Sequence, residues 1–492
     1  MATNLPNISQ VAIFGRLVNE WMQPAPPVVA SGSSCREALE ALRRHNADCV
    51  LVVDDRRRPI GIVTEHDVAH HISPGVPPAT AIDELMTHPV RCIGRDDYYF
   101  HAIARMRRFN VHHLPVVDHH TGVVGILRLS DALTVAMPRM LDLIDRLTHE
   151  ESIPGLRRVK VAQVELAQSL FDDRVPASEV QALLTHINND ICRRLVERCV
   201  NEMAERGWGP PPVPFDILVM GSGGRGESFL APDQDNGFIL SDYAENRHST
   251  IDPWYVELAV CMTACLDAVG FAMCRGQVMA TNPVWRKSLS EWRRQLSYWI
   301  RRRSPFALRL CDIFFDFTRV YGDGELAEEL RGFVTEVTRK NFLFLESMYH
   351  EQRDHDVAIG MFGKLAADSG DENHKGMIDM KYHALLPLVE AVRLLALKQG
   401  VAKTSTRERL VALSNFGTLS KDECNYLSAA LDQLTGLVLR QQIKDFTAGR
   451  PITNYLPQTD LSQSEKDALV LNLHAIRDLR TRVRSIFSAS MT

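Results

Sequence analysis

Laid on itself with a shift of 64 residues, the amino end of this chain repeats, and that repeat constrains its fold more than any other feature. Met22 falls on Met86, Ala38 on Ala102, Arg43-Arg44 on Arg107-Arg108, and Asn46 on Asn110. Val52-Val53-Asp54 falls on Val116-Val117-Asp118, Gly61-Ile62 on Gly125-Ile126, and Asp67 on Asp131. A repeat unit of this kind cannot bury its apolar face alone, so the two copies are expected to pack on each other. Each copy runs from a helical stretch ("CREALEALRRHN", "YYFHAIARMRRFN") into a β-branched strand ("CVLVVDD", "HLPVVD"). A turn, a second short strand and a helix follow ("GIVTEHDVAHHI", "GILRLSDALTVAM").

These marks, with the "M-x-x-P-V" opening at Met86 to Val90 and the "G-h-h-x-x-x-D" closings (h apolar), resemble a tandem CBS pair over almost its whole length. In that family the closing Asp binds the ribose hydroxyls of an adenine nucleotide, and a Thr or Ser three residues earlier contacts phosphate or ribose. Thr64 and Asp67 match in full, while in the second copy Asp131 matches and Arg128 replaces the hydroxyl residue. A carboxylate suits a ribose diol because it accepts two charge-assisted hydrogen bonds. The competing reading is that Asp67 and Asp131 only cap the helices that follow, in a structural, dimerising pair.

The rest of the chain needs its own explanation, because 492 residues exceed what one core organises. A net charge of −5 supplies no global basic field, which disfavours nucleic acid as a partner. The ten cysteines show no C-x-x-C and no zinc spacing, and Cys261 and Cys265, four apart in an apolar helical run, read as core thiols. The opening "MATNLPNISQVAIFGRLVNEW" lacks a signal-peptide pattern, and the apolar stretch 255–273 carries Glu257 and Asp267. A soluble protein of the reducing cytoplasm, without membrane contact, is the expectation.

"GSGGRGESFLAPDQDNGFIL", residues 221–240, combines a G-x-G-x-x-G with an acidic pair. A dinucleotide fold needs the glycine turn to open a long helix. Pro232 and the polar run after it oppose that helix, and strand-like "GFILSD" follows Asp235 almost at once. The order is therefore strand, glycine turn, short helix, then an acidic pair on a second strand. Residues i and i+2 of a strand share a face, so Asp233 and Asp235 can hold Mg²⁺ or Mn²⁺ together. Gly221, Ser222, Gly223 and the turn's N–H groups can hold a triphosphate, with Arg225 adding charge.

Together with "AVGFAMCRGQVMATNPVWRKSLSEWRRQL" and "IFFDFTRVYGD", this segment resembles the nucleotidyltransferases related to PII-uridylyltransferase and glutamine-synthetase adenylyltransferase, in the branch that couples a CBS pair to the catalytic domain. The resemblance implies phosphate and metal roles for Gly221, Ser222, Asp233 and Asp235. It implies a third metal carboxylate from a later strand, at Asp316 in an alternating apolar run, with Asp312 as fallback. "HKGMIDMKYHALLPLVEAVRLLAL" is similar to the segment facing the cleft in those enzymes, which makes Lys375, Asp379 and Lys381 substrate-binding candidates. They could equally cap and flank the helix. A mobile loop is expected at 360–370. Trp285, Trp292 and Trp299, seven apart, are expected to share one buried helical face with arginines on its wet flank.

The fold class expected is α+β multidomain: a tandem CBS pair at 15–138, a helical linker at 139–205, a nucleotidyltransferase domain with a mixed sheet at 206–325, and a helical substrate-binding domain at 326–492. The expected function is Mg²⁺-dependent transfer of NMP from an NTP to a hydroxyl acceptor, a signalling protein or a small molecule. An adenine nucleotide at the CBS pair would regulate it, and the pair would make a homodimer. The alternative is a catalytically silent nucleotide sensor that uses the transferase fold as a scaffold.

Overall fold

The computed structural model describes residues 17–68, 76–97, 99–118, 122–133, 150, 152–353, 355–360, 363–366 and 374–488. The chain divides into two compact units, Met1–Glu150 and Glu151–Thr492. The start of the helical linker expected at 139–149, and most of the loop expected at 360–370, lie outside the described residues.

In the first unit the repeat becomes two matching sheets. One has the order β2 (Val28–Ala30), β3 (Cys49–Val53), β4 (Pro59–Thr64). The other contains β1 (Gln23–Pro24), β7 (Val123–Arg128), β6 (His113–Val117) and β5 (Ile93–Gly94), in that order. Cys49 pairs with Thr64 and His113 with Arg128, and each hairpin shifts register at the equivalent step, Val52/Val53 and Val116/Val117. Helices α1 (Cys35–His45) and α2 (Tyr99–Arg108) precede β3 and β6. Ser34 and Glu37 form a capping box that starts α1, and Asn46 ends it in the left-handed region at φ 46°. Asn110 occupies the matching place at φ 50°.

The recurrent Met and Gly residues explain one another. A methyl group at Gly61 would lie 2.1 Å from Sδ of Met86, and one at Gly125 would lie 2.6 Å from Sδ of Met22. Each methionine therefore packs onto the glycine of the other copy's hairpin, where only a hydrogen leaves room. The backbone repeats this exchange, since Gln23 pairs with Ile126 and Thr87 with Ile62. Among the described residues, β4 leads into the short helix Glu65–Asp67 and β7 into α3 (Leu129–Leu133).

The second unit opens with two long helices, α4 (Ile153–Asp172) and α5 (Ala177–Glu205). A mixed sheet follows, ordered β10 (Arg286–Ser288), β9 (Asn236–Leu240), β8 (Phe215–Val219), β11 (Thr318–Tyr321). β9 runs antiparallel to β8 and parallel to β10. Between β9 and β10 lies α6 (His248–Val269); after β10 come α7 (Leu289–Arg302) and α8 (Pro305–Phe314). The rest is helical: α9 (Glu325–Arg339), α10 (Phe342–Gln352), α11 (Leu386–Gln399), α12 (Thr406–Asn415), α13 (Lys421–Thr447) and α14 (Gln463–Ser488). A small ribbon pairs β12 (Met377–Asp379) with β13 (Tyr455–Pro457). Leu218 and Ile239 of the sheet share one continuous core with Leu388, Leu434 and Leu473 of the later helices.

Two local expectations need correction. Trp285 lies in a 3-10 turn before β10, so the three tryptophans do not share a helical face. They still converge in the core, with ring centroids 6.2 Å apart for Trp285–Trp292 and 6.1 Å for Trp285–Trp299. The run around Asp312 is helix α8, not a strand, because Ser304 caps its start and Pro305 fills the first turn. Asp316 falls in the connection between α8 and β11.

Candidate nucleotide and metal site

β8 ends at Val219 and the chain turns through the one-turn helix Gly221–Gly224. Gly221 has φ +61°, and a Cβ there would sit 3.1 Å from Oδ2 of Asp235. Both the left-handed backbone and the close carboxylate demand glycine at that position. The amide of Met220 donates to the Asp235 carbonyl at 2.9 Å, which brings the glycine turn directly beside the acidic pair. α5 secures the outgoing loop: Gln181 Nε2 donates to the Glu227 carbonyl at 2.9 Å, and the Ser228 amide donates to Thr185 Oγ1 at 2.8 Å.

Asp233 and Asp235 lie at the entrance to β9 rather than within it, yet the strand-like alternation holds. Asp233 is exposed and Asp235 half-buried, while Gln234 and Asn236 between and beyond them are buried. Gln234 Nε2 donates to the Phe271 carbonyl at 2.9 Å, and Asn236 Oδ1 accepts from the Ala280 amide at 2.9 Å. These inward amides fix the segment so that both carboxylates face the same cleft. Burial pushes the Asp235 carboxyl above its ordinary range, and the Asp233 charge adds to that push. The Cys274 thiol, Lys381 and Arg225 act the other way.

The cleft is lined by Asp233, Asp235, Ser222, Gly223, Ser228 and, from α5, Asn188 and Asn189. Two buried groups in it, Asn188 Nδ2 and Gln234 Oε1, have no hydrogen-bond partner among the described residues. Two hard carboxylate oxygens beside a glycine cradle fit Mg²⁺ or Mn²⁺, which takes one or two carboxylates and completes its shell with substrate phosphates.

Other candidates are placed elsewhere. Asp316 is fully buried, and its carboxylate is held by Arg225 at 2.9 Å, Arg393 at 2.6 Å and Arg409 at 2.6 Å. Burial alone would raise it, but the three guanidinium charges overrule that and hold the carboxyl far below its ordinary range. Among the described residues, the groups of three or more possible metal-ligating side chains that converge do not include Asp233, Asp235 and Asp316 together. Asp316 is thus held here as an ion-paired anion, outside any converging group with Asp233 and Asp235. Its fallback, Asp312, is bound by Arg393 and Gln352. Arg225, expected at the phosphates, is committed to Glu227 at 2.6 Å and to Asp316. Asp379 is buried and accepts from the amides of Lys381 and Tyr382 at 3.0 Å each, a capping role. Lys375 is exposed in the turn before β12.

Sequence reasoning missed Asn188, Asn189 and Lys160. The run of three consecutive polar residues Asn188, Asn189 and Asp190, set between Ile187 and Ile191 of α5, was the available signal. Lys160 of α4 is buried beneath the cleft; its Nζ donates to Asn188 Oδ1 at 2.7 Å and lies 4.6 Å from the Phe271 ring centroid. Burial depresses this ammonium to about 7. The unfolded chain keeps that proton to about pH 10, so the cost of holding Lys160 is full below pH 7 and fades as pH rises toward 10. Lys160→Met is expected to stabilise the protein at pH 7 by roughly 1–3 kcal/mol, with the gain shrinking toward pH 10. Urea unfolding at both pH values checks this, and a gain that grows with pH would refute it.

In the first unit, Thr64 and Asp67 form a reciprocal cap. Thr64 Oγ1 donates to Asp67 Oδ2 at 2.8 Å, and the Asp67 amide donates back at 3.3 Å. Ser130 Oγ donates to Asp131 at 3.3 Å. A large cleft near them is lined by residues 23–29, Glu37, Asp48 and Arg128, but not by Thr64, Asp67 or Asp131. Arg128, the residue at the position matching Thr64, pairs with Asp48 at 2.6 Å, and His113 Nε2 reaches the same oxygen at 3.1 Å. Burial opposes ionisation of Asp48, but these two partners prevail and lower its carboxyl.

The family model described as "Putative nucleotidyltransferase DUF294" matches residues 162–306. Its companion, "Putative nucleotidyltransferase substrate binding domain", matches residues 342–487, and the CBS domain matches 18–74 and 82–137. The chain belongs to this nucleotidyltransferase family and carries a CBS pair. Curated relatives cover only a short part of this family member. An L-aspartate semialdehyde sulfurtransferase of Methanocaldococcus jannaschii is 30% identical over 131 residues, 26% of this chain and 24% of that protein. Uncharacterized protein MK0525 of Methanopyrus kandleri is 32% identical over 112 residues, 22% of this chain and 57% of that protein. Among solved structures, the CBS domain pair of protein MJ0100, in complex with 5-methylthioadenosine and S-adenosyl-L-methionine, is 29% identical with a TM-score of 0.22. It covers 24% of this chain and 94% of that one. The CBS domain protein PAE2072 from Pyrobaculum aerophilum, complexed with AMP, is 20% identical with a TM-score of 0.23 and covers 26% of this chain and 98% of that one. No helix among the described residues is long and apolar enough to cross a membrane.

Proposed function

We propose that this protein transfers a nucleotidyl group from an NTP to a hydroxyl acceptor, using a divalent metal at Asp233 and Asp235, and that its CBS pair binds an adenine nucleotide that regulates transfer. The observation that carries the reading is the contact between the Gly221 turn and Asp235, with the Asp235 carboxyl raised by burial and by Asp233. Two like charges held together in a partly desolvated cleft are stabilised by a cation. Mg²⁺ or Mn²⁺, when bound, would neutralise phosphate charge and polarise the reacting phosphoryl group. Ser222 and the amides of the glycine turn would orient the triphosphate, and Lys381 would complement its charge. The unpaired Asn188 Nδ2 and Gln234 Oε1 supply a donor and an acceptor for a polar ligand. Ten free thiols accord with a reducing compartment.

One observation favours the silent sensor instead: Asp316 is committed to arginines, so the acidic site has two carboxylates in place of three. Thermal shift with ATP, GTP, CTP, UTP and AMP, with and without Mg²⁺, separates the readings. On the transferase reading, one NTP raises Tm only with Mg²⁺, and Asp233→Asn/Asp235→Asn removes that effect. Asp67→Ala is expected to remove a metal-independent adenine-nucleotide shift while leaving the first intact. Metal-independent stabilisation alone, equal in wild type and the double variant, would put the sensor reading ahead.

A further inference from the structure

We propose that Cys199, Cys261 and Cys265 form a three-thiolate site for one thiophilic d10 cation of the zinc class, clamping α5 to α6. The sequence offered Cys261 and Cys265 only as core thiols on one helix; the fold brings Cys199 to them from another. Cys261 Sγ lies 2.7 Å from Cys199 Sγ, and Cys265 Sγ lies 3.9 Å from it. All three sulfur atoms fall within 4.8 Å of one another. Zinc–thiolate bonds of about 2.3 Å in a tetrahedral shell require sulfur atoms roughly 3.8 Å apart, so small side-chain rotations complete the set.

The surroundings suit an ion rather than a sealed core. Cys199 is fully buried, but Cys261 and Cys265 are partly exposed, which leaves a path for entry. Arg198 immediately precedes Cys199 on α5. Arg198, in turn, is held by Glu202 at 2.5 Å.

The site is distinct from the acidic cleft but built on the same two helices. Cys192 of α5 and Leu266 of α6 line that cleft. Cys199 is two turns along from Cys192, and Cys265 is the residue before Leu266. A bound cation would fix the spacing of the helices that form the cleft wall. A second converging group, Asp48, Cys49 and His113 in the first unit, is the weaker candidate, because Arg128 already occupies the Asp48 carboxylate.

The test uses the full chain, kept reduced by a non-thiol reductant, titrated with Zn²⁺ against a chromophoric chelator and with Cd²⁺ for its thiolate charge-transfer absorption. Wild type and Cys49→Ser are expected to bind one tight Zn²⁺ per chain and to show the Cd²⁺–thiolate band. Cys261→Ser and Cys265→Ser, both at partly exposed positions, are each expected to lose at least tenfold in Zn²⁺ affinity, and the triple serine variant to lose the tight site. Circular dichroism of the single variants establishes that they are folded, so the test stands even where Cys199→Ser is destabilising. Tight binding that survives in the triple variant, or that disappears in Cys49→Ser, overturns the proposal, as does wild type that binds no Zn²⁺ tightly.

Discussion

Asp316→Ala is expected to destabilise the second unit by about 3–5 kcal/mol, the usual cost of removing one partner from a buried ion pair. Asp316 sits where the glycine turn, the α8–β11 connection and the carboxyl-terminal helices meet. Arg225 comes from the turn, Arg393 from α11 and Arg409 from α12, and all three reach one carboxylate. Arg393 and Arg409 are themselves almost fully buried. Glu227 and Asp312 complete the balance, so three guanidinium groups face three carboxylates. Alanine would leave a surplus positive charge inside this knot; asparagine would keep an acceptor but lose the charge, and should cost less. The pH dependence has a fixed sign. The folded carboxyl is depressed, so its contribution is complete above the unfolded value near 4 and is lost as pH falls below it. Urea unfolding of wild type and Asp316→Asn should therefore differ most near neutrality and converge in acid. Mg²⁺-dependent nucleotide binding, measured where Asp316→Asn remains folded, is expected to survive. Its selective loss in a variant of unchanged stability would restore Asp316 as a metal ligand.

The repeat was legible because packing forces both copies to obey one pattern. Met22, Gly61, Met86 and Gly125 recur in sequence since each methionine fills the space left by the other copy's glycine. The glycine turn and acidic pair were legible for a similar reason: a left-handed backbone beside a carboxylate admits only glycine, and the i, i+2 spacing survives even at a strand's edge. Asp316 was placed on a strand because the apolar alternation around it suits either a strand or a buried helix end, and periodicity alone does not separate them. Its true environment depends on Arg393 and Arg409, residues distant in sequence whose burial no local pattern announces. The same limit hid the thiol cluster, where Cys199 lies far from Cys261 in the chain but adjacent in space. Lys160 and Asn188 were missed since a polar residue on a long helix ordinarily faces water.

Asp235→Asn is expected to lower metal-dependent NTP turnover by at least about a hundredfold, because removing one group that stabilises transition-state charge typically costs 10²–10³ in rate. It should not cost stability. Burial and the Asp233 charge already oppose ionisation of Asp235, so the folded carboxyl is raised and its charged form destabilises the fold at neutral pH. Neutral asparagine removes that penalty, and an unchanged or higher Tm without metal is the expected result. Asp316 and Asp235 thus have opposite signatures: one carboxylate is stabilised by its neighbours, the other is held against their opposition. Functional groups are commonly kept at such a local cost. Measuring pyrophosphate release together with Tm, in the presence and absence of Mg²⁺, reads both effects on one variant. Asp235→Asn that melts earlier while retaining Mg²⁺-dependent turnover would reverse the assignment, making Asp235 structural and moving the reaction away from the glycine turn.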